Sequence, residues 1–189
     1  MSRKKKIIVA IVLTLGAALM AYRFWPMSFR TLMGRDPREA TNIACWLGVS
    51  SYEPGKPMMS FYSLDLEGER EKMEEVIEIL ESCEYRRDLR NLWPGGVSGL
   101  KSGKAYDGRK GSVFLQFGEW NDYFDMIFVD RSTGLAGNRV VHLTDSRAFE
   151  RLAEYIMEHS EPEPVSESQL AGVVQDGVAA GWEIMSMCF

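Results

Sequence analysis

Sixteen consecutive residues without a charge, Ile7 to Tyr22, stand directly behind Arg3-Lys4-Lys5-Lys6. That arrangement constrains the chain more than anything after it. As a helix the run spans about 24 Å, and extending it to Trp25 gives about 28 Å, close to the roughly 30 Å hydrocarbon core of a bilayer. Arg23 can snorkel at the far end, and Tyr22, Phe24 and Trp25 suit the headgroup belt. Basic residues are retained on the cytoplasmic side, so the four ahead of the run place the N-terminus inside. Residues 1–25 are therefore expected to be a single-pass signal-anchor in the cell membrane, with the C-terminal domain extracellular. The rival is a cleaved signal peptide, with Ile7–Leu15 as its apolar core and Gly16-Ala17-Ala18 as its small-residue site. Cleavage would make the protein secreted. The anchor is preferred because the apolar run continues through Leu19, Met20, Ala21 and Tyr22 with no polar stretch before a cleavage point.

The remaining chain is of ordinary single-domain size, and the sequence as a whole, at 46% hydrophobic residues, is apolar enough to fold. Five of the 22 basic residues and none of the 27 acidic ones fall in the first 23 positions, so residues 24–189 carry 17 against 27, a net of −10. Such a domain repels phosphate backbones, and nucleic acid is excluded as a partner.

The residue pattern divides the chain into an anchor or signal segment (1–25), a tether (26–40) and an extracytoplasmic α+β domain (41–189). The tether is inferred from Gly34, Asp36-Pro37 and scattered arginines, which break any period. Ile43, Cys45, Leu47 and Val49 alternate as in a strand, and Met58–Leu66 follows as a second. Over Glu67–Glu84, Met73, Val76, Ile77, Leu80 and Cys83 recur at helical steps opposite a glutamate-rich face. Leu89–Gly111 is expected to be an irregular, glycine-rich loop. Ser112–Phe117, Tyr123–Val129 and Arg139–Leu143 read as strands, with turns at Gly118–Asp122 and Asp130–Asn138. A helix to His159 carries Phe149, Leu152, Ala153 and Ile156 as its stripe. Glu161–Pro164 reads as a stiff spacer, and Ser166–Ala179 as a short final helix. Trp182–Phe189 fits a last strand. The expected fold is α+β: an N-terminal transmembrane helix, then an antiparallel sheet with two amphipathic helices on one face, in the order β-β-α-loop-β-β-β-α.

Motifs for chemistry fail on inspection. Gly103-Lys104 would need a glycine at Ser98 and a Ser or Thr at Ala105 to form a phosphate loop. His142 and His159 are the two imidazoles, and neither adjoins a nucleophile motif. Cys45, Cys83 and Cys188 match no metal or redox spacing and read as buried thiols, with a Cys45–Cys83 disulfide as the alternative. The pattern Met185-Ser186-Met187-Cys188 offers soft ligands but splits them between two strand faces. No metal or cofactor is expected. Two surfaces remain for a partner. Trp93 could anchor one from the long loop, because an indole buries much area at small entropic cost. Glu119, Trp120 and Asp122 combine acid and aromatic groups at a hairpin, beside Tyr123, Phe124 and Asp125. The pattern is that of a membrane-anchored extracytoplasmic binding or interaction module, probed by a protein or envelope partner and not an enzyme. Its alternatives are an envelope hydrolase working through carboxylates such as Glu119 and Asp122, and an acidic inhibitor or immunity-type protein covering a basic effector.

Overall fold

A computed structural model describes residues 3–53, 56–92, 104–106, 109–119 and 122–165. The apolar run forms one helix, α1 (Arg3–Arg23). Among the described residues it is the helix long and apolar enough to cross a membrane, a property that signal sequences share, and the rest of the protein buries none of that apolar stretch.

The folded part is α+β. Among the described residues nine strands form one antiparallel sheet: β1 (Ile43–Glu53), β2 (Lys56–Asp65), β3 (Tyr85–Arg87), β4 (Lys104–Tyr106), β5 (Arg109–Glu119), β6 (Asp122–Phe128), β7 (Thr133–Ala136), β8 (Arg139–Leu143) and β9 (Glu163–Val165). Their order across the sheet is β3-β8-β7-β6-β5-β1-β2-β9, with β4 also on β5. The long central pairs, β2–β1–β5–β6, hold the alternating sequences in register, with Cys45 opposite both Leu64 and Leu115 and Leu115 opposite Met126. Residues directly across from one another share a sheet face. One face therefore carries Ile43, Cys45, Leu47, Val113, Leu115, Phe117, Met126 and Phe128, all buried. Against that face pack α3 (Arg70–Glu81), through Met73, Val76, Ile77 and Leu80, and α4 (Arg147–His159), through Phe149, Leu152, Ala153 and Ile156. The opposite face has a smaller cluster of Ile127, Val129, Leu135 and Val140, with Phe114 against it and Trp46 5.1 Å from Phe114.

Four expectations are corrected. The segment 26–40 is not a tether but part of the fold. Ser28 caps α2 (Phe29–Met33) by accepting the Thr31 amide, and Phe29 is wholly buried with its ring 5.9 Å from Tyr85, 5.4 Å from Phe117 and 6.2 Å from Phe124. Arg38 then ties the segment to α3 through Glu74 (2.7 Å) and Glu81 (2.9 Å). Proline and glycine broke the period there, but one aromatic on a single helical turn suffices to dock it. The supposed loop after Leu89 begins with a 3₁₀ turn over Leu89–Leu92 and contains β4 and the start of β5. The supposed turn Asp130–Asn138 contains β7: Asp130 accepts the amides of Ser132 and Thr133, both at 2.7 Å, and turns the chain at once. Gly134 lets β7 approach, since a Cβ there would stand 2.9 Å from the Ile127 carbonyl oxygen. Gly137, at φ 56°, closes the turn into β8. The spacer at Glu161–Pro164 becomes β9 on the β2 edge, a position where a proline costs no ladder bond. The helix expected over Ser166–Ala179 and the strand expected over Trp182–Phe189 lie outside the described residues.

Leu80→Ala should cost about 2–5 kcal/mol and Phe29→Ala about 3–5 kcal/mol in chemical denaturation. A loss below about 1 kcal/mol for Phe29→Ala would restore the tether.

Candidate functional site

Tyr85 has no exposed surface, and it fixes the edge where the site forms. Its hydroxyl donates to the Leu80 carbonyl at 2.9 Å, and its backbone exchanges two hydrogen bonds with Met27, at 2.9 and 2.8 Å. On its other side β3 pairs with β8, setting Arg86 opposite His142 and Arg87 opposite Val141. Arg86 and His142 thus share one face of the edge, and Arg87 projects to the other.

Asp88 follows β3 and organises the turn. Its carboxylate accepts the Arg90 amide at 2.6 Å and the Arg90 guanidinium at 2.8 Å, and meets His142 Nε2 at 2.6 Å. Three residues on, the Asn91 side-chain amide donates to the Val140 carbonyl (2.7 Å) and accepts the Val140 amide (2.8 Å), so the 3₁₀ turn is laced to β8. Between this turn and the end of α1 lies an open cleft of about 710 Å³. Phe24, Arg86, Asp88, Leu89, His142 and Thr144 are among its lining residues, with Arg87 and Leu143.

The hydrogen bond from Arg90 is the main cause that holds the Asp88 carboxyl well below the usual carboxylate range, with His142 adding to it. Asp88 is consequently a fixed negative charge and orients the imidazole through Nε2. Thr144, the cleft's hydroxyl, donates to the Glu84 carbonyl at 3.0 Å and accepts the Glu84 amide at 3.2 Å. The Asp88–His142 pair fixes one imidazole nitrogen at the cleft, and the Thr144 hydroxyl is engaged by Glu84 rather than by that pair. Arg86, which lines the same cleft, offers guanidinium donors to an anion or a polar chain.

The residues singled out in the sequence fall elsewhere. Trp93 and Trp120 lie outside the described residues. Glu119 and Asp122 are register partners at the end of the β5–β6 pair, and their side chains also lie outside them. Of their neighbours, Phe124 packs into the aromatic group around Phe29, Tyr123 is exposed, and burial pushes the Asp125 carboxyl up, against a hydrogen bond from Gln116. His159 stacks on Tyr155 at 4.2 Å and bonds the Tyr155 carbonyl through Nδ1, closing α4. Cys45 and Cys83 are free and buried, and burial pushes both thiols up. Among the described residues no group of three or more His, Cys, Asp or Glu could hold a metal. The Asp88–His142 pair was missed because its members are 54 positions apart and β3 is three residues long. The one local signal was the alternation Arg86-Arg87-Asp88-Leu89-Arg90.

No known family, curated protein or solved structure matches the chain.

Asp88 ionises more readily in the folded protein than in the unfolded chain. Its contribution is complete above the unfolded value of about 4 and is lost as the pH falls through the lower folded value. Asp88→Asn should destabilise by about 1–3 kcal/mol at pH 5, and the gap to the wild type should narrow as the pH is taken below about 4. A gap that stays constant down to pH 2 would assign the cost to shape rather than charge. Cys45 and Cys83 should remain unreactive towards a disulfide reagent until the protein is unfolded; rapid native labelling of either would contradict their burial.

Proposed function

We propose that this chain is a single-pass membrane protein whose folded domain sits outside the cytoplasm and binds a partner without catalysing a reaction. The observation that carries the reading is α1, which exposes apolar side chains along its length and joins the sheet within four residues, at the Met27–Tyr85 bridge. A helix of 21 residues is about 32 Å long, enough for a bilayer core, and water would be a poor solvent for it. The basic cluster Arg3-Lys4-Lys5-Lys6 supports an inside N-terminus.

Binding is preferred over carboxylate hydrolysis because of the cleft's contents. A glycoside hydrolase of the usual kind needs two carboxyl groups, one kept protonated near neutral pH. Among the described residues lining the cleft Asp88 is the carboxylate, and Arg90 keeps it ionised. The start of the segment after β3 is also built for contact: Leu89 and Leu92 are 55% and 45% exposed beside the cleft. Trp93 comes next in the chain, which keeps it the proposed anchor residue for a partner, with the Glu119–Asp122 hairpin as the second surface.

Protease added to intact cells should remove the C-terminal domain and leave an N-terminal tag intact, and alkaline carbonate should not extract the chain. Protection of the domain until lysis would reverse the orientation. A mature protein that starts near residue 19 would replace the anchor with a cleaved signal.

A further inference from the structure

The junction between α1 and the sheet gathers positive charge on a part of the protein that is otherwise acidic. Arg23 ends α1, Arg87 ends β3, and Arg139 opens β8. Arg87 pairs with Val141, so Arg139, two residues earlier on the antiparallel neighbour, stands diagonally from it on the same face. Burial lowers the affinity of Arg87 for its proton, and Arg23 and Arg139 lower it further by repulsion. A guanidinium keeps its charge regardless, so the three cations are held together against that repulsion.

Their hydrogen bonding is also incomplete. Arg23 Nη1 and Arg87 Nε are shut off from solvent and meet no acceptor among the described residues. Other arginines of the domain are answered by carboxylates: Arg38 by Glu74 and Glu81, Arg90 by Asp88, Arg131 by Glu150, Arg147 by Asp145. A buried charged donor without an acceptor is costly, and the remaining nitrogens of the half-buried Arg23 and Arg87 guanidinium groups carry the donor capacity of the cluster. Large apolar side chains frame the same place. Tyr22 is 84% and Trp25 69% exposed at the end of α1, and Leu89 shares the cleft with Phe24. Bare cations beside exposed aromatic and leucine side chains are what the headgroup level of a membrane favours.

We propose that Arg23, Arg87 and Arg139 form a receptor for the phosphodiester of an anionic phospholipid headgroup, with Trp25 and Leu89 flanking its glycerol level and its acyl chains along α1. The inference rests on the anchored reading above. A phosphodiester presents two non-bridging oxygens and one negative charge, which the fork of a guanidinium takes in two parallel hydrogen bonds. Asp88, the carboxylate of the adjoining cleft, is engaged by Arg90 and His142 and projects with them. The lipid is favoured over a free phosphate because the site opens where the apolar helix ends.

The test uses the full chain in neutral maltoside micelles, with dioleoyl phosphatidylglycerol, dioleoyl phosphatidylcholine or inorganic phosphate added. Native mass spectrometry reads lipid retention, and a melting curve reads stabilisation. Phosphatidylglycerol should be retained at least roughly tenfold better than phosphatidylcholine, and each of Arg87→Gln and Arg139→Gln should weaken it roughly fivefold. Lys72→Gln, on α3, should change nothing. Arg139 is exposed, so its variant should melt within a few degrees of the wild type without lipid, which keeps the result interpretable if Arg87→Gln folds poorly. Equal retention of the two lipids, or undiminished retention in both arginine variants, would overturn the proposal. Stabilisation by inorganic phosphate equal to that by phosphatidylglycerol would overturn the lipid source in favour of a soluble anion. Carbonate extraction reports on the anchor separately: a chain that leaves the membrane loses the anchored reading, whereas one that stays but shows no lipid preference loses only this inference.

Discussion

The aromatic group around Phe29 is the contact on which the remaining structure turns. Phe29 comes from the segment after α1, Tyr85 from the sheet edge, and Phe117 and Phe124 from register partners on β5 and β6. Three distant stretches of chain therefore meet at one buried ring. Tilted and edge-on ring pairs add about 0.5–1.5 kcal/mol each beyond the area they bury. Their larger effect is geometric. With Phe29 seated, Met27 is delivered to Tyr85, β3 gains a neighbour on its outer side, and the turn at Asp88 is set facing Phe24. The cleft and the arginine cluster both follow from that placement.

The sheet supplies the rigidity this junction needs. β1 is paired along most of its length on both sides, and its alternating side chains supply the floor on which α3 and α4 lie. The edges are treated differently. β2 is covered by the short β9, whose Pro164 cannot extend the ladder. β3 is covered by a single bridge from Met27 and otherwise left to the cleft. The edge left short of a partner lies at the foot of the first helix.

The helices and the long strands were legible in the sequence because each carries a period over enough residues to be counted. Met73, Val76, Ile77 and Leu80 repeat at helical steps, and Ile43, Cys45, Leu47 and Val49 at strand steps. What escaped was short. β3 and β9 have three residues and β7 four, too few for any alternation to show. Their existence depends on neighbours: Gly134 is recognisable as a close approach only once Ile127 is beside it. The cleft was illegible for the same reason. Asp88 and His142 gain meaning as a pair only through the β3–β8 register, which no local pattern encodes. Acidic and aromatic residues near residue 120 drew attention because they are adjacent in sequence, a weaker criterion than adjacency in space.

The four residues from Arg23 to Met27 can extend at most about 14 Å. A flexible linker of fifteen residues, as the segment 26–40 first suggested, would have let the domain wander over about 21 Å root-mean-square. Without that slack, the helix stays within reach of the β3 edge. Phe29 and the Met27–Tyr85 bridge hold the chain to the sheet from Met27 onward, so any tilt of α1 against that edge is confined to residues 24–26.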